Sequence, residues 1–281
     1  MARYKVNLSY DGTHFQGFQR LNHAGTLERS RTVQGVVEKA LRSLEWQGET
    51  IYAAGRTDAG VHAFGQVAAF DLEWKHSTQA LLKAMNANLP EDVAVTDVKF
   101  APVDFHPRYD ARARRYNYRI LCQEVRNPLE ERYAWRVWPP LDFVRLVQAS
   151  RLLLGTHDFC AFGTSPKPGG STIRTVYRAA WQFEGRYLVF DIVANAFLLH
   201  MVRRIVFFLM QIGHHHLSVD AENLFLPSPR WDEHEGLFDW SPLSKLKTLV
   251  VPRVHGLAPP HGLYLLEVYY DVLPNVNIIK G

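Results

Sequence analysis

Near the start of the chain Tyr4, Val6, Leu8 and Tyr10 alternate with Lys5, Asn7 and Ser9, and Asp11-Gly12 closes the run. A period of two ending in a turn predicts a half-buried strand, with one face on a core and the other in water. A helix comes next. Val33, Val36, Val37, Ala40, Leu41 and Leu44 recur at helical spacing behind Thr32, a good N-cap residue. Short strands are expected near residues 51–54 and 65–71, then a helix over 78–88 and a strand over 93–100. Further on, Tyr116, Tyr118 and Ile120 alternate as a strand, and Phe143, Leu146, Val147 and Leu154 mark a helix that stops at Gly155. Glu184-Gly185 joins two strands as a hairpin, residues 195–212 read as a helix, and residues 263–270 as a closing strand. A doubly wound parallel sheet needs strands and helices in strict alternation, and this order lacks it. The expectation is an α+β fold of two halves, residues 1–110 and 111–281, each a largely antiparallel sheet with helices packed on one face. Six prolines between Pro227 and Pro260 suggest an irregular surface excursion.

With 281 residues, 47% of them hydrophobic, the chain can bury a substantial core. Its net charge of +4 and pI near 9.0 suit a polyanionic partner without requiring one. The placement of the cations is more informative. Arg112, Arg114, Arg115 and Arg119 are interleaved with Tyr116 and Tyr118, and Arg174 and Arg178 recur on a later strand. Such mixing offers phosphate contacts and stacking surfaces for RNA, although a solvated strand face has the same composition. Two cysteines, and an N-terminus that reads as a strand rather than an export signal, point to a reducing, cytoplasmic setting. The most apolar stretch, residues 194–212, carries His200, Arg203 and Arg204, so no membrane span is expected. His214, His215 and His216 point in different directions and lack zinc-type spacing, so no metal site is expected.

The segment AGRTDAGVHAFGQVAAFD, residues 54–71, places Asp58 in a glycine-bounded loop between two apolar runs, with Arg56 and His62 beside it. Loops on rigid flanks carry chemistry more often than core positions do, and Gly55 and Gly60 permit sharp turns. Asp followed by Ala-Gly is also an ordinary Asx-turn. In the 195–212 helix Arg203 has Leu199, Val206 and Phe207 as neighbours. An arginine cannot shed its proton there, so it needs a carboxylate, with Asp58 the candidate, or an opening to a polyanion. A structural ion pair, or an arginine reaching back to the surface, meets the same need.

GRTDAGVHA, residues 55–63, resembles the signature of the tRNA pseudouridine synthase A family. YDGTHFQGFQ, TVQG, NANLP, FHPRYDARARRYNY, GTHDFCAF, NAFLLHMVRRIV and APPHGLYL match the same family in order along the chain. One short motif would be weak, whereas eight in sequence are specific. The resemblance implies a pseudouridine synthase-like fold of two similar halves. It implies Asp58 as the catalytic aspartate, Tyr116 packed against the target base, Arg203 paired with the aspartate, Leu263 lining the pocket and Arg56 holding the RNA. It further implies a homodimer without cofactor or metal, acting on uridines 38, 39 and 40 of the tRNA anticodon stem-loop. Arg114 and Arg115, in the matching ARRYNY segment, are the candidate RNA-binding cations. The chain departs from the pattern at Leu199, where a histidine is common, at Phe207, where a glycine is common, and in longer stretches after Gln19 and before Ala258. None touches the matched site positions, so the departures bear on RNA specificity.

The reaction dictates the chemistry. Isomerising uridine breaks the N1–C1′ bond, turns the base and joins C5 to C1′. An ionised aspartate can attack C1′, take the C2′ proton, or stabilise charge on the sugar. The base must leave the stack and rest against an aromatic face, which suits Tyr116, whose hydroxyl is also a candidate catalytic group for removing the C5 proton late in the reaction, although an ordinary pKa near 10 makes it a reluctant base. A non-catalytic tRNA-binding or RNA-chaperone protein is the alternative from another class. A nucleoside or glycoside hydrolase would need a second carboxylate, and none stands near the loop in sequence.

Overall fold

The computed structural model describes residues 1–20, 31–215, 230–232, 237–239 and 254–271. They divide into two compact units. The first takes residues 1–117 and, from the far end of the chain, residues 260–271; the second takes Tyr118–Pro259.

In the first unit the expected strand is β1, Ala2–Tyr10, whose buried side chains Tyr4, Val6, Leu8 and Tyr10 are the alternating apolar ones. It pairs antiparallel with both β3, His62–Leu72, and β4, Val93–Phe100. The short strand β2, Tyr52–Ala53, adds to β3 with Ala53 opposite Ala68. Helix α1, Val33–Arg42, starts where Thr32 accepts a hydrogen bond from Gly35 N, and buries Val33, Val37, Ala40 and Leu41. Helix α2, Thr78–Asn88, is capped by Ser77 and buries Leu81 and Met85. Strand β5, Ala113–Cys122, begins in this unit, and the boundary falls between its Asn117 and Tyr118. Asn86 sets α2 on β4 by exchanging two hydrogen bonds with the backbone of Val95, at 2.9 and 2.8 Å.

The second unit contains β6, Trp135–Val137, parallel to the end of β5, then α3, Phe143–Arg151, and β7, Gly155–Asp158. The hairpin of β8, Ile173–Glu184, and β9, Tyr187–Ala194, turns at Gly185, as expected. Helix α4, Met201–Gly213, comes after it, with β10, Arg230–Asp232, and β11, Leu237–Asp239, paired further on. Last comes β12, Leu263–Tyr269, which belongs to the first unit and pairs parallel with β3, Tyr264 opposite His62.

The α+β expectation holds, with sheets largely antiparallel. Two helices are shorter than expected: α3 ends at Arg151, with Gly155 opening β7 instead of stopping the helix, and α4 starts late. Residues 195–200 are apolar enough to extend α4, yet Asn195 Oδ1 accepts from Thr175 N and Ala196 N, and Leu199 N donates to Thr164 O. His200 then adopts a left-handed φ of 64°, which no helix interior allows. Side-chain bonding to a neighbouring strand outcompetes the first helical turn. Among the described residues no helix is long and apolar enough to cross a membrane. Most of the expected proline-rich excursion, and His216, lie outside the described residues.

Candidate active site

The loop between β2 and β3 is held at both ends and across its middle. Ala54 N donates to Val67 O at 2.8 Å, and Gln66 Nε2 reaches Gly55 O at 2.9 Å. Phe18 N donates to Thr57 O and Gly60 N to Phe15 O, so residues 15–18 form a second wall. Tyr10, buried at the end of β1, meets Thr57 Oγ1 at 2.8 Å. Burial pushes its hydroxyl up to about 12, which keeps the proton on the phenol at neutral pH. Asp58 lies at the apex, half-buried, its carbonyl accepting from Val61 N at 3.2 Å, while Arg56 is exposed. This is the Asx-prone turn read from sequence, set on a rigid frame.

Two glycines make the frame possible. Gly60 has φ +76°, and a Cβ there would lie 2.9 Å from Pro260 Cγ. A Cβ on Gly12 would lie 2.0 Å from Val61 O, so the 11–14 turn packs backbone to backbone on the loop. Gly55, expected to serve the turn, has open space where its Cβ would stand. The Gly12 contact is not apparent from sequence, although its signal is present in the Asp-Gly that ends β1.

Tyr116 is buried on β5. Its hydroxyl is pushed above the ordinary tyrosine range, first by burial and then by the charges of Tyr10 and Asp58, with Arg114 acting in the opposite sense. The influence of Asp58 places the carboxylate and the phenol in one electrostatic neighbourhood. Such a phenol keeps its proton at neutral pH.

Arg114 departs from the phosphate-contact expectation. It is buried, and its guanidinium donates to Ala54 O at 3.0 Å, Arg108 O at 2.7 Å and Ala111 O at 3.1 Å. It braces the loop from its β2 end. Arg115 is half-buried; burial and then Glu267 raise the Tyr269 hydroxyl against the charge and hydrogen bond of Arg115, leaving it at about 12. Leu263 is buried at the start of β12, next to Tyr264, whose ring stacks on His62 at 4.8 Å. In the second unit Arg203 is buried in α4, its Nε donating to Ala258 O at 2.7 Å. Phe207, on the next turn of α4, lies against Gly256 in the same segment. Arg178, read as a possible phosphate contact, bonds the buried Asp191 at 2.5 Å.

His62 Nδ1 lies 3.0 Å from Gly12 N and 3.1 Å from Asp11 Oδ1. The two contacts are alternatives. A neutral ring accepts from Gly12, and a protonated ring donates to Asp11. Burial dominates and lowers the His62 pKa, with Asp11 opposing it. A histidine depressed in the fold takes up its proton more readily when unfolded, so its contribution to stability is complete above about 6.5 and is lost as pH falls below that value. Melting curves from pH 8 to 5 are expected to show a steeper loss of stability in the wild type than in His62→Gln. Parallel curves would remove His62 from the account.

Among the described residues no three His, Cys, Asp or Glu side chains gather to hold a metal ion.

A family model described as tRNA pseudouridine synthase matches residues 8–110 and 149–230. The chain is 36% identical over 276 residues to the tRNA pseudouridine synthase A of Limosilactobacillus fermentum, covering 96% of this chain and 97% of the relative. It is 37% identical over 271 residues to that of a Geobacillus species, with 96% and 98% covered. To that of Streptococcus equi subsp. equi it is 38% identical over 277 residues, with 96% and 100% covered. With the loop that carries Asp58 inside the first matched span and the likeness running nearly end to end, the chain belongs to the tRNA pseudouridine synthase family.

Proposed function

We propose that this isomerase acts on uridines of the tRNA anticodon stem-loop, at positions 38, 39 and 40, with Asp58 as its catalytic carboxylate. The observation that carries the reading is the position of Asp58 at the apex of a loop fixed by the backbone of residues 15–18, by Gln66 and by Arg114. A carboxylate so placed can meet an extruded nucleotide without reorganising. The N1–C1′ bond breaks with Asp58 attacking C1′ or taking the C2′ proton. The freed base turns and C5 bonds to C1′, breaking the Asp58–C1′ bond in the first case or with the proton returned to C2′ in the second, and the C5 proton leaves to solvent while N1 gains one. Atoms and electrons balance without oxidant or activated donor, so no cofactor is needed.

Tyr116 offers its ring to the base and holds its own proton, and Leu263 forms the apolar wall of the pocket. Arg56 and Arg115 contact the RNA. Arg203 orients the carboxylate and does not act as an acid. Recognition rests on backbone shape and flexibility, because one pocket that accepts neighbouring uridines cannot read a fixed sequence. The enzyme works in the cytoplasm as a homodimer, and a monomer at sedimentation equilibrium would overturn that assembly.

The test is tritium release from unmodified tRNA carrying 5-tritiated uridine, with neither metal nor nucleotide cofactor added. Release is expected, and it should vanish when the anticodon-stem uridines are replaced by cytidines. Undiminished release from the replaced tRNA would sink the positional assignment. Binding without release from either RNA would leave a non-catalytic tRNA-binding protein.

A further inference from the structure

Beside the loop, the first unit holds an open groove of about 190 Å³. Tyr52, Gly55, Arg56, His106, Arg108 and Tyr109 are among the residues that line it. Among the described residues that line it none is acidic. The three rings follow one another as a stepped aromatic ledge, with Tyr52 and His106 centroids 5.1 Å apart and tilted by 49°, and His106 and Tyr109 4.3 Å apart and tilted by 38°. Tyr109 is 67% exposed and Tyr52 38%, an unusual amount of aromatic surface to leave in water. Arg56 and Arg108 have no acidic partner among the described residues, whereas Arg3 and Arg31 of the same unit are each paired with an aspartate.

The ledge is built to stay in place. Tyr109 N and Asp110 N both donate to His106 O at 3.1 Å, Asp110 Oδ2 accepts from His106 N at 2.8 Å, and Arg108 N donates to His106 Nδ1 at 3.2 Å. Arg114, which braces the Asp58 loop through Ala54 O, fixes this turn through Arg108 O. One buried guanidinium therefore couples the groove to the loop. The floor is equally fixed, because Gln34 bonds Thr50 and the buried Glu38 and accepts from Arg20 N.

We propose that this groove is a nucleotide subsite: it takes one unpaired nucleotide flanking the target uridine, with the base on the Tyr52–His106–Tyr109 ledge and the phosphate between Arg56 and Arg108. The assignment rests on the anticodon stem-loop substrate proposed for this enzyme and adds where the neighbouring nucleotide sits. Stacking on exposed rings beside guanidiniums that lack a carboxylate is how single-stranded RNA is held with little sequence preference. The volume is below the roughly 300–1,000 Å³ that encloses a drug-sized ligand, so the groove suits one planar ring on an open ledge. Gly55 precedes Asp58 by three residues, a span of at most about 10 Å, which puts the ledge within reach of the adjacent nucleotide.

The test uses the full chain and an anticodon stem-loop RNA with 2-aminopurine at each unpaired position beside the target in turn. Wild type is expected to change the fluorescence at one flanking position. Tyr109→Ala should abolish that change and raise KM about ten-fold or more, the loss falling on KM rather than kcat. Arg108→Gln should weaken binding and flatten its salt dependence. An unchanged signal and KM in Tyr109→Ala would overturn the subsite, and so would tighter binding of free adenosine monophosphate than of the RNA. Asp58→Asn should keep the fluorescence response. A preserved response without tritium release in the wild type would sink the isomerase-site reading and leave the subsite standing.

Discussion

Asp58→Asn is expected to lower tritium release from 5-tritiated tRNA by roughly 10³-fold or more while leaving the affinity for tRNA within a few-fold of wild type. Asparagine keeps the size of the side chain and much of its hydrogen bonding. It cannot attack C1′, accept the C2′ proton or neutralise a developing sugar cation, so each of the three routes open to a carboxylate closes at once. Binding survives because the groups proposed to contact RNA, Arg56, Arg115 and the aromatic ledge, are separate side chains from Asp58. The measurement is single-turnover release with excess enzyme, alongside filter binding of the same RNA. A loss of less than ten-fold would remove Asp58 from the chemistry. A parallel collapse of binding would mean that the loop had lost its shape.

The second large effect is on the frame. Gly12→Ala is expected to destabilise the protein by more than about 3 kcal/mol and to lower the melting temperature by roughly 5–10 °C. Its Cβ would lie 2.0 Å from Val61 O and 2.5 Å from Val61 C, atoms of a backbone held by the Val61 N to Asp58 O bond and by the start of β3 at His62. The neighbour cannot rotate away as a side chain tip would. Relief would require the 11–14 turn to lift, which breaks the Gly12 N to His62 bond and loosens the wall that holds Asp58. Gly55→Ala is the control. Its Cβ meets nothing within 4 Å, so scanning calorimetry should leave its melting temperature near that of wild type. Equal melting temperatures for the two variants would refute the close-approach account.

The local elements are the most legible part of this chain. Thr32 and Ser77 cap α1 and α2 where the sequence places helix starts, and β4 runs from Val93 to Phe100 as its apolar pattern suggests. These elements have strong patterns and local stop signals. The start of α4 is not legible, because Asn195 and Leu199 find partners on residues 175 and 164, distant in sequence. Hydrophobic periodicity carries no information about such partners. The same limit applies to Arg114. Its neighbours in sequence are basic and aromatic and suggest a phosphate contact, but three carbonyls converge on it and bury it. Asp58 is legible in the opposite way, through a loop whose flanks are apolar runs. The ledge at residues 52, 106 and 109 is not, because its three rings come from two separate segments.

The pairing of β12 with β3 joins residues about two hundred positions apart, with Tyr264 opposite His62 and Leu265 opposite Ala63. Such a contact must overcome the closure entropy of nearly the whole intervening chain before it contributes any stability. Synthesis proceeds from the other end, so every residue of the Asp58 loop emerges while the strand that supplies Leu263 and Tyr264 has yet to be translated. During that interval only the short β2 lies on that edge of β3, at Ala68 and Ala69, so the stretch at His62 and Ala63 has no strand beside it and His62 lacks the ring that stacks on it in the finished fold. An unfinished edge is a place for wrong pairing, and it is covered only when the second unit has been made and the chain has returned. The pairing that completes this part of the sheet is therefore among the last that the growing polypeptide can make.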